Sequence, residues 1–333
     1  MDTIADTFYH FFRQLTPPIA GLRITVSVSG GVDSVSLLHV ASRFTKSLGY
    51  SLNAVHFHHG LRKESSEEEA SVLSFCESLS IPCQVRRFSA DDWEMAPGTG
   101  MEEKARELRN QAYQSLLRSD WTDWILLGHT RDDWEETVLF HWIRGCSPSH
   151  LAEALKSQDP ARKILRPFLT LPKSSLIDYA QKHQLPVHED ISNFDTTYSR
   201  NKIRQRILPL IHEINPNFGQ ALLHFTSVLK AEEDVLEALT QEALQHVAQT
   251  MEAECCTWDK ALWQSQSPAI QLRLLRKLRE HLVGNQRDFY YSQLISIQMG
   301  IMTNMWFHYE DKKICIDCTE KCIIARRQAI NEQ

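Results

Sequence analysis

No run of apolar residues in this 333-residue chain is long enough to cross a bilayer, and its first residues, MDTIADTFYHFFRQ, carry acid where a secretory leader would carry base. Neither membrane residence nor export is expected, and the chain reads as cytoplasmic. An excess of positive charge is missing too: 36 Lys and Arg against 42 Asp and Glu leave a net charge of -6. That excludes a generally basic nucleic-acid coat but not a local basic patch. Internal repeats and low-complexity tracts are lacking. Eight cysteines are scattered along the chain, and no His pair stands near them at zinc-finger spacing. In a reducing compartment they are expected as free thiols. This includes Cys315, Cys318 and Cys322, whose C-x-x-C-x-x-x-C spacing, with Cys255 and Cys256 as further donors, is the arrangement that invites a zinc reading. The length allows about two domains with a buried core that needs no metal or disulfide staple.

What is present is clearest in the first half. Ile24 to Val28, Leu52 to Phe57, Cys83 to Phe88 and Trp124 to Leu127 are short apolar or β-branched segments separated by longer helical patterns. This alternation predicts an α/β domain with a Rossmann-like parallel sheet and crossover helices. Past about residue 145 prolines punctuate the chain, and Pro172 opens a helical run, LPKSSLIDYAQKH, where its missing N–H does no harm. From Asn217 to Leu282 the pattern is helical, with Leu272, Leu275, Leu278 and Leu282 as one apolar stripe and Arg273, Arg276, Lys277 and Arg279 largely off it. The reading is a first domain over 1–216 and a smaller, mainly helical domain over 217–333.

Four constellations carry chemistry. Ser29-Gly30-Gly31-Val32-Asp33-Ser34 follows the first strand and opens a helix, so glycine-permitted turning aims free backbone N–H groups and a helix dipole at an anion. A kinase-type phosphate loop is excluded, since the glycine spacing is shorter and no lysine follows. Asp33 is a candidate magnesium contact, because a hard cation commonly reaches phosphates through one or two carboxylates. An ordinary capped helix start would use the same residue types. Gly128-His129-Thr130-Arg131-Asp132-Asp133 follows the fourth strand, and ligands of open parallel sheets bind beyond the carboxyl ends of strands. Asp132 and Asp133 could hold magnesium, orient an amine or act as base; helix capping is the competing role. His56-Phe57-His58-His59-Gly60-Leu61-Arg62 lacks the Cys or carboxylate that would complete a familiar zinc set, so its imidazoles and Arg62 are expected to face nucleotide or RNA. Glu102, Arg106 and Arg109 share a helical face, so Arg109 could point at phosphate; an ion-paired surface helix is the competing reading.

These residues resemble a known family. SGGVDS after a first strand is similar to the loop of the N-type ATP pyrophosphatase (PP-loop) superfamily. HFHHGLR, the Glu-x-x-Ala-Arg-x-x-Arg helix, GHTRDDWEET and HEDISNFDTTYSRNKIRQRILP resemble, in order, the motifs of bacterial tRNA(Ile)-lysidine synthetases. The resemblance covers about the first two thirds of the chain. It implies ligation of free L-lysine to C2 of the wobble cytidine of the CAU-anticodon isoleucine tRNA, through an adenylated tRNA, with release of AMP and pyrophosphate. ATP is then the substrate held by Ser29 to Ser34, Mg2+ lies at Asp33 and Asp132, and Asp33, Arg109, His129 and Asp133 are catalytic. RNA contacts are expected at Tyr198, Arg200, Asn201, Arg204 and Arg206, where base and aromatic residues interleave. The Arg273 to Arg279 stripe is either a second tRNA contact or a solvated face.

Three departures stand out: Trp134 where a Gln is usual, Asn110 where Tyr commonly follows the second Arg, and CSPSHLAEA in place of a glycine-rich turn. The C-terminal portion is short beside longer members, so a further tRNA-binding module is expected to be reduced or missing. A PP-loop tRNA thiolase would share the first loop but generally needs paired cysteines near the crevice, which Cys76, Cys83 and Cys146 do not form as a motif. An amide-forming synthetase would bring a glutaminase. A non-catalytic, ATP-gated tRNA-binding protein is distinguished by assay. The oligomeric state, a homodimer included, is left open.

Overall fold

The structure, a computed structural model, describes residues 3–16, 18–58, 65–97, 100–154, 158–188, 199–284 and 290–328. Two compact units divide the chain, Met1–Ser227 and Val228–Gln333.

In the first unit α1 (Thr3–Arg13) precedes a series of strands and helices. These are β1 (Arg23–Ser27), α2 (Val32–Leu48), β2 (Ser51–His58), α3 (Ser65–Ser78), β3 (Cys83–Arg87), α4 (Ala90–Met95), α5 (Met101–Arg118), β4 (Trp124–Leu126) and α6 (Arg131–Ile143). Then come α7 (Pro148–Ala154), β5 (Gln158–Asp159), β6 (Ile164–Leu165), α8 (Lys173–Lys182), α9 (Ser199–Lys202), α10 (Leu208–Ile214) and the start of α11 (Phe218–Val247). The sheet order is β3-β2-β1-β4-β6-β5, all parallel except β5, which runs antiparallel on the edge. Strands this apolar fold in a sheet buried on both faces. Ile24, Val26, Leu52 and Ala54 join residues of α1, α2, α3 and α8 in the main core. On the opposite face Val55, Phe57, Ile125 and Ile164 meet Tyr113 and Leu116 of α5.

The four strands anticipated from sequence are present; the two-residue strands β5 and β6 carry too little pattern to be read. The division between the units falls inside α11, past the 216/217 boundary expected from sequence. Tertiary contact is the reason, since Phe218 packs against Leu139, Ile203 and Leu208 of the first unit.

The second unit holds the rest of α11, then β7 (Ala248–Met251), β8 (Cys255–Asp259), α12 (Lys260–Gln264), α13 (Pro268–Val283), α14 (Tyr291–Thr303), β9 (Phe307–Glu310), β10 (Ile314–Cys318) and β11 (Cys322–Arg327). Its strands form an antiparallel sheet in the order β7-β8-β11-β10-β9. The sequence shows only the Ile314 to Ile316 segment of it. Elsewhere four- to six-residue strands with Cys, Thr and His among them give a faint period of two beside long helical patterns. On α13 the buried stripe is Ile270, Leu274, Leu275, Leu278 and Leu282, while Leu272 lies at its margin. Arg279, expected off that stripe, is instead among the most buried side chains, ion-paired to Asp311 at 2.6 Å.

Candidate active site

Where strand order reverses, the loops leaving two neighbouring strands turn to opposite sides and open a crevice at their carboxyl ends. Here β1 leads by way of α2 to β2 on one side, and β4 pairs on the other. The crevice therefore lies between Val28–Gly31 and Leu127–Thr130. In the first loop Gly30 has φ +95°, a conformation side chains rarely adopt, and Gly31 is the N-cap of α2. Ser29 and Ser34 close the turn: the Ser29 amide donates to Ser34 Oγ at 3.1 Å, and Ser34 Oγ donates to the Gly31 carbonyl at 3.0 Å. With glycine as N-cap, no capping side chain stands over the first-turn amides, the geometry of an anion cradle. His56 Nδ1 donates to the Val28 carbonyl at 2.8 Å, and burial keeps its pKa below the usual range. This imidazole, expected from sequence to face ligand, ties β2 to the loop. His59, Gly60, Leu61 and Arg62 lie outside the described residues.

The second loop is pressed against the first. A Cβ at Gly128 would stand 2.9 Å from the Asp33 carbonyl oxygen, closer than real side chains approach, so only glycine lets the β4–α6 loop reach the start of α2. Thr130 and Asp133 form a capping box, with Asp133 Oδ2 accepting from the Thr130 amide at 2.9 Å. Capping thus falls to Asp133. Asp132 instead accepts from the Lys173 amide at 2.8 Å, and Lys173 Nζ lies 3.3 Å from Asp33 Oδ2. Lys173 therefore joins both acids from the first turn of α8, a role with no sequence signal beyond the Pro172 that starts that helix. Burial pushes the Asp33 carboxyl up to about 6, against the pull of Lys173 and with help from Asp133 and Asp132. Asp33 Oδ1 is buried without a hydrogen-bond partner, a donor atom that suits a hard cation.

His129 stands at the positive end of the crevice. Arg166, directly after β6, donates from Nε to His129 Nδ1 at 3.0 Å, so the ring carries its proton on Nε2. The residue is exposed, yet desolvation by the protein beside the ring, with the charges of Arg166, Arg109 and Arg106, drives its pKa down to about 4, against the pull of Asp133. α5 brings Arg106 and Arg109 here and anchors itself through Tyr113 OH, which donates to Ser27 Oγ at 2.9 Å at the end of β1. Asn110, on the same helix, lines a neighbouring cavity of about 520 Å³ with Gln111, Gln114, Arg118 and Arg162. Arg166 was not singled out from sequence; its position after a strand of two residues hid it. The side chain of Glu102 lies outside the described residues.

Along α6 every acid finds a partner. Glu135 meets His212 at 2.8 Å and Arg131 at 3.4 Å. Glu136 meets Arg204 at 2.8 Å and Arg200 at 4.0 Å, and Asp133 Oδ1 accepts from Arg204 at 3.2 Å. Burial raises the pKa of Glu135 and of Glu136, opposed by these cations. The partners reach α6 because residues Ile203–Ile207 form a π-helical turn between α9 and α10. Pro209 cannot donate to the α ladder and its ring crowds the turn before it; widening that turn lets the Leu208 amide bond the Ile203 carbonyl instead. Ile203 and Leu208 then both face α6. Arg200 and Arg204, expected to present charge to RNA, are engaged by α6, Arg200 also lying 5.0 Å over the Phe140 ring. Lys202 and Arg206 are exposed, Asn201 lies in α9, and Tyr198 lies outside the described residues. The usual Gln position on α6 is occupied by Trp134, 2% exposed and part of the packing.

Fold and site define an α/β nucleotide-binding protein with an anion cradle at its switch point. The chain belongs to the PP-loop domain family, an ATP-binding family that matches residues 3–211. It is 34% identical over 242 residues to the tRNA(Ile)-lysidine synthase of Nitrosomonas europaea, covering 72% of this chain and 51% of that protein. It is 35% identical over 219 residues to that of Nitratidesulfovibrio vulgaris, covering 66% and 63%. The chain thus spans between half and two thirds of the length of these relatives. Its fold is similar to that of a U34-tRNA thiolase from Methanococcus maripaludis, with a TM-score of 0.57 at 15% identity over 69% of this chain and 79% of the other.

Proposed function

We propose that the chain ligates free lysine to C2 of the wobble cytidine in the CAU-anticodon isoleucine tRNA, through an adenylated tRNA. The observation that carries this reading is the contact of Gly128 with the Asp33 peptide, which puts the anion cradle and the His129–Asp133 loop in one crevice; the sequence relatives supply the substrate class.

ATP lies with its pyrophosphate in the Ser29–Ser34 cradle, where fixed N–H dipoles meet the charge that grows on the leaving group. Asp33 and Asp132 would hold Mg2+, which would supply further positive charge to the phosphates. Cytosine O2 attacks the α-phosphate, and Arg109 with neutral His129 stabilises the adenylate electrostatically. Asp133, bonded to Arg204 and to the Thr130 amide, then binds the ε-ammonium of lysine or accepts its proton. An amine of pKa about 10.4 must shed a proton before attacking C2 and expelling AMP.

A thiolase reading would need cysteines at the crevice. Cys83 begins β3, at the edge of the sheet opposite the carboxyl ends, and Cys76 lies in α3 against the core. Incubating the full chain with ATP, radiolabelled lysine and the CAU-anticodon tRNA is expected to give labelled tRNA with AMP and pyrophosphate. Folded protein that labels no tRNA would overturn the ligase; tRNA binding without AMP release would leave only a binding protein.

A further inference from the structure

The cysteine-rich end of the chain holds a ligand set that its spacing does not reveal. β9 and β10 pair antiparallel, with Asp317 opposite His308 and Cys315 opposite Glu310. Alternate residues of a strand share a face, so these four side chains stand on one side of the sheet, while Ile314, Ile316 and Cys318 point into the core. His308 Nδ1, Cys315 Sγ and a carboxylate oxygen of Asp317 all lie within 4.8 Å of one another. The separate distances are 2.7 Å from His308 Nδ1 to Asp317 Oδ1, 3.9 Å from Cys315 Sγ to His308 Nδ1 and 3.7 Å from Cys315 Sγ to Asp317 Oδ2. A tetrahedral zinc ion with bonds of about 2.0 to 2.3 Å spaces its ligand atoms roughly 3.3 to 3.6 Å apart, within small side-chain rotations of this arrangement.

A second feature points the same way. His308 Nε2 lies 3.5 Å from Glu310 Oε2. Metal-bound imidazoles commonly give their other N–H to a carboxylate, which fixes the tautomer and aims the remaining nitrogen at the ion. Summed over the cluster, a thiolate, Asp317 and Glu310 together with Arg326, which pairs with Asp317 at 2.8 Å, leave two negative charges for a divalent cation.

We propose that His308, Cys315 and Asp317 bind one divalent transition-metal ion, zinc by the softness of the set, with a solvent-filled fourth position and Glu310 as the positioning carboxylate. The ion would clamp the edge strand β9 to β10. The site uses only one cysteine of the C-x-x-C-x-x-x-C segment, since Cys318 faces the core and Cys322 Sγ lies 3.8 Å from Gln249 Oε1.

Metal-stripped full-length protein titrated with Co2+ is expected to take up one equivalent and to show thiolate-to-cobalt charge-transfer absorption; Zn2+ should displace the signal. Cys315→Ser should abolish the band, Glu310→Gln should weaken uptake about tenfold, and Cys322→Ser should change neither, with circular dichroism reporting native folding in each. Uptake below stoichiometry at equal metal and protein, a band that survives Cys315→Ser, or one lost in folded Cys322→Ser would each overturn the assignment.

Discussion

Asp33 is held by the fold at odds with its own chemistry. Unfolded, the carboxyl titrates near 3.8; folded, it titrates at about 6, so the native state holds the proton more tightly. The stability linked to this proton is full below about pH 4 and is lost as the pH rises through 6. Two pKa units correspond to about 3 kcal/mol, and partial solvent access at the side chain reduces that to about 1–2 kcal/mol. Asp33→Asn is therefore expected to unfold at higher denaturant than the wild type at pH 8, with the gap closing near pH 4, while losing ATP-dependent turnover. Equal midpoints across the range would show that the carboxylate is not strained. His129 has the opposite sign. Its folded pKa of about 4 lies below the ordinary 6.5, so its contribution is present above pH 6.5 and is lost as the pH falls through 4. In paired denaturation curves His129→Gln should lose less stability than the wild type between pH 7 and 4; a larger loss would show that the ring is protonated in the native state. Asp33, His129, Asp132 and Asp133 were all legible in the sequence as site candidates, because each follows a strand that announces itself. Lys173 and Arg166 were not, since nothing local marks a residue whose partner lies far along the chain.

At the scale of elements, the site is two loops held in contact by a missing side chain. Adding a methyl at Gly128 must push the β4–α6 loop off the start of α2, because the obstructing atoms are backbone and cannot rotate away. Gly128→Ala is expected to cost about 1–3 kcal/mol in chemical denaturation. Its loss of turnover should be steeper than that stability loss explains, with kcat falling at saturating ATP. Wild-type kcat in this variant would remove the contact from the catalytic argument. The helical run from Ser199 to Ile214 teaches a different lesson. Its alternating Arg, Lys and Arg look like a nucleic-acid strip when read as a string, but the π turn before Pro209 sets which residues face α6. Arg204 ends among carboxylates, an outcome decided by one ring without an N–H.

For the molecule as a whole, a net charge of -6 makes the proposed RNA binding depend on where cations remain uncommitted to acids. Three of the four Lys and Arg residues of α13 are paired within their own unit: Arg273 with Glu233, Lys277 with Glu237 at 2.6 Å and the buried Arg279 with Asp311. Lys202 and Arg206 lie exposed beside the helix that covers α6. Lys202→Ala and Arg206→Ala are expected each to lower tRNA affinity and to reduce the slope of log affinity against log salt by about one. Arg273→Ala and Lys277→Ala should leave affinity within about twofold and act on stability instead; the reverse pattern would place the RNA on the second unit. The sequence by itself determined the parallel α/β sheet, the glycine turn at Ser29–Ser34 and the acidic helix start after β4, because strand periodicity, glycine conformation and helix termini are local properties of the chain. Only the tertiary structure decided that Gly128 seats one loop on the other, that Lys173 and Arg166 enter the site, that the arginines of 200–204 turn inward, and that His308, Cys315 and Asp317 meet. Each of these depends on contacts between residues distant in sequence, whose energies no local pattern records.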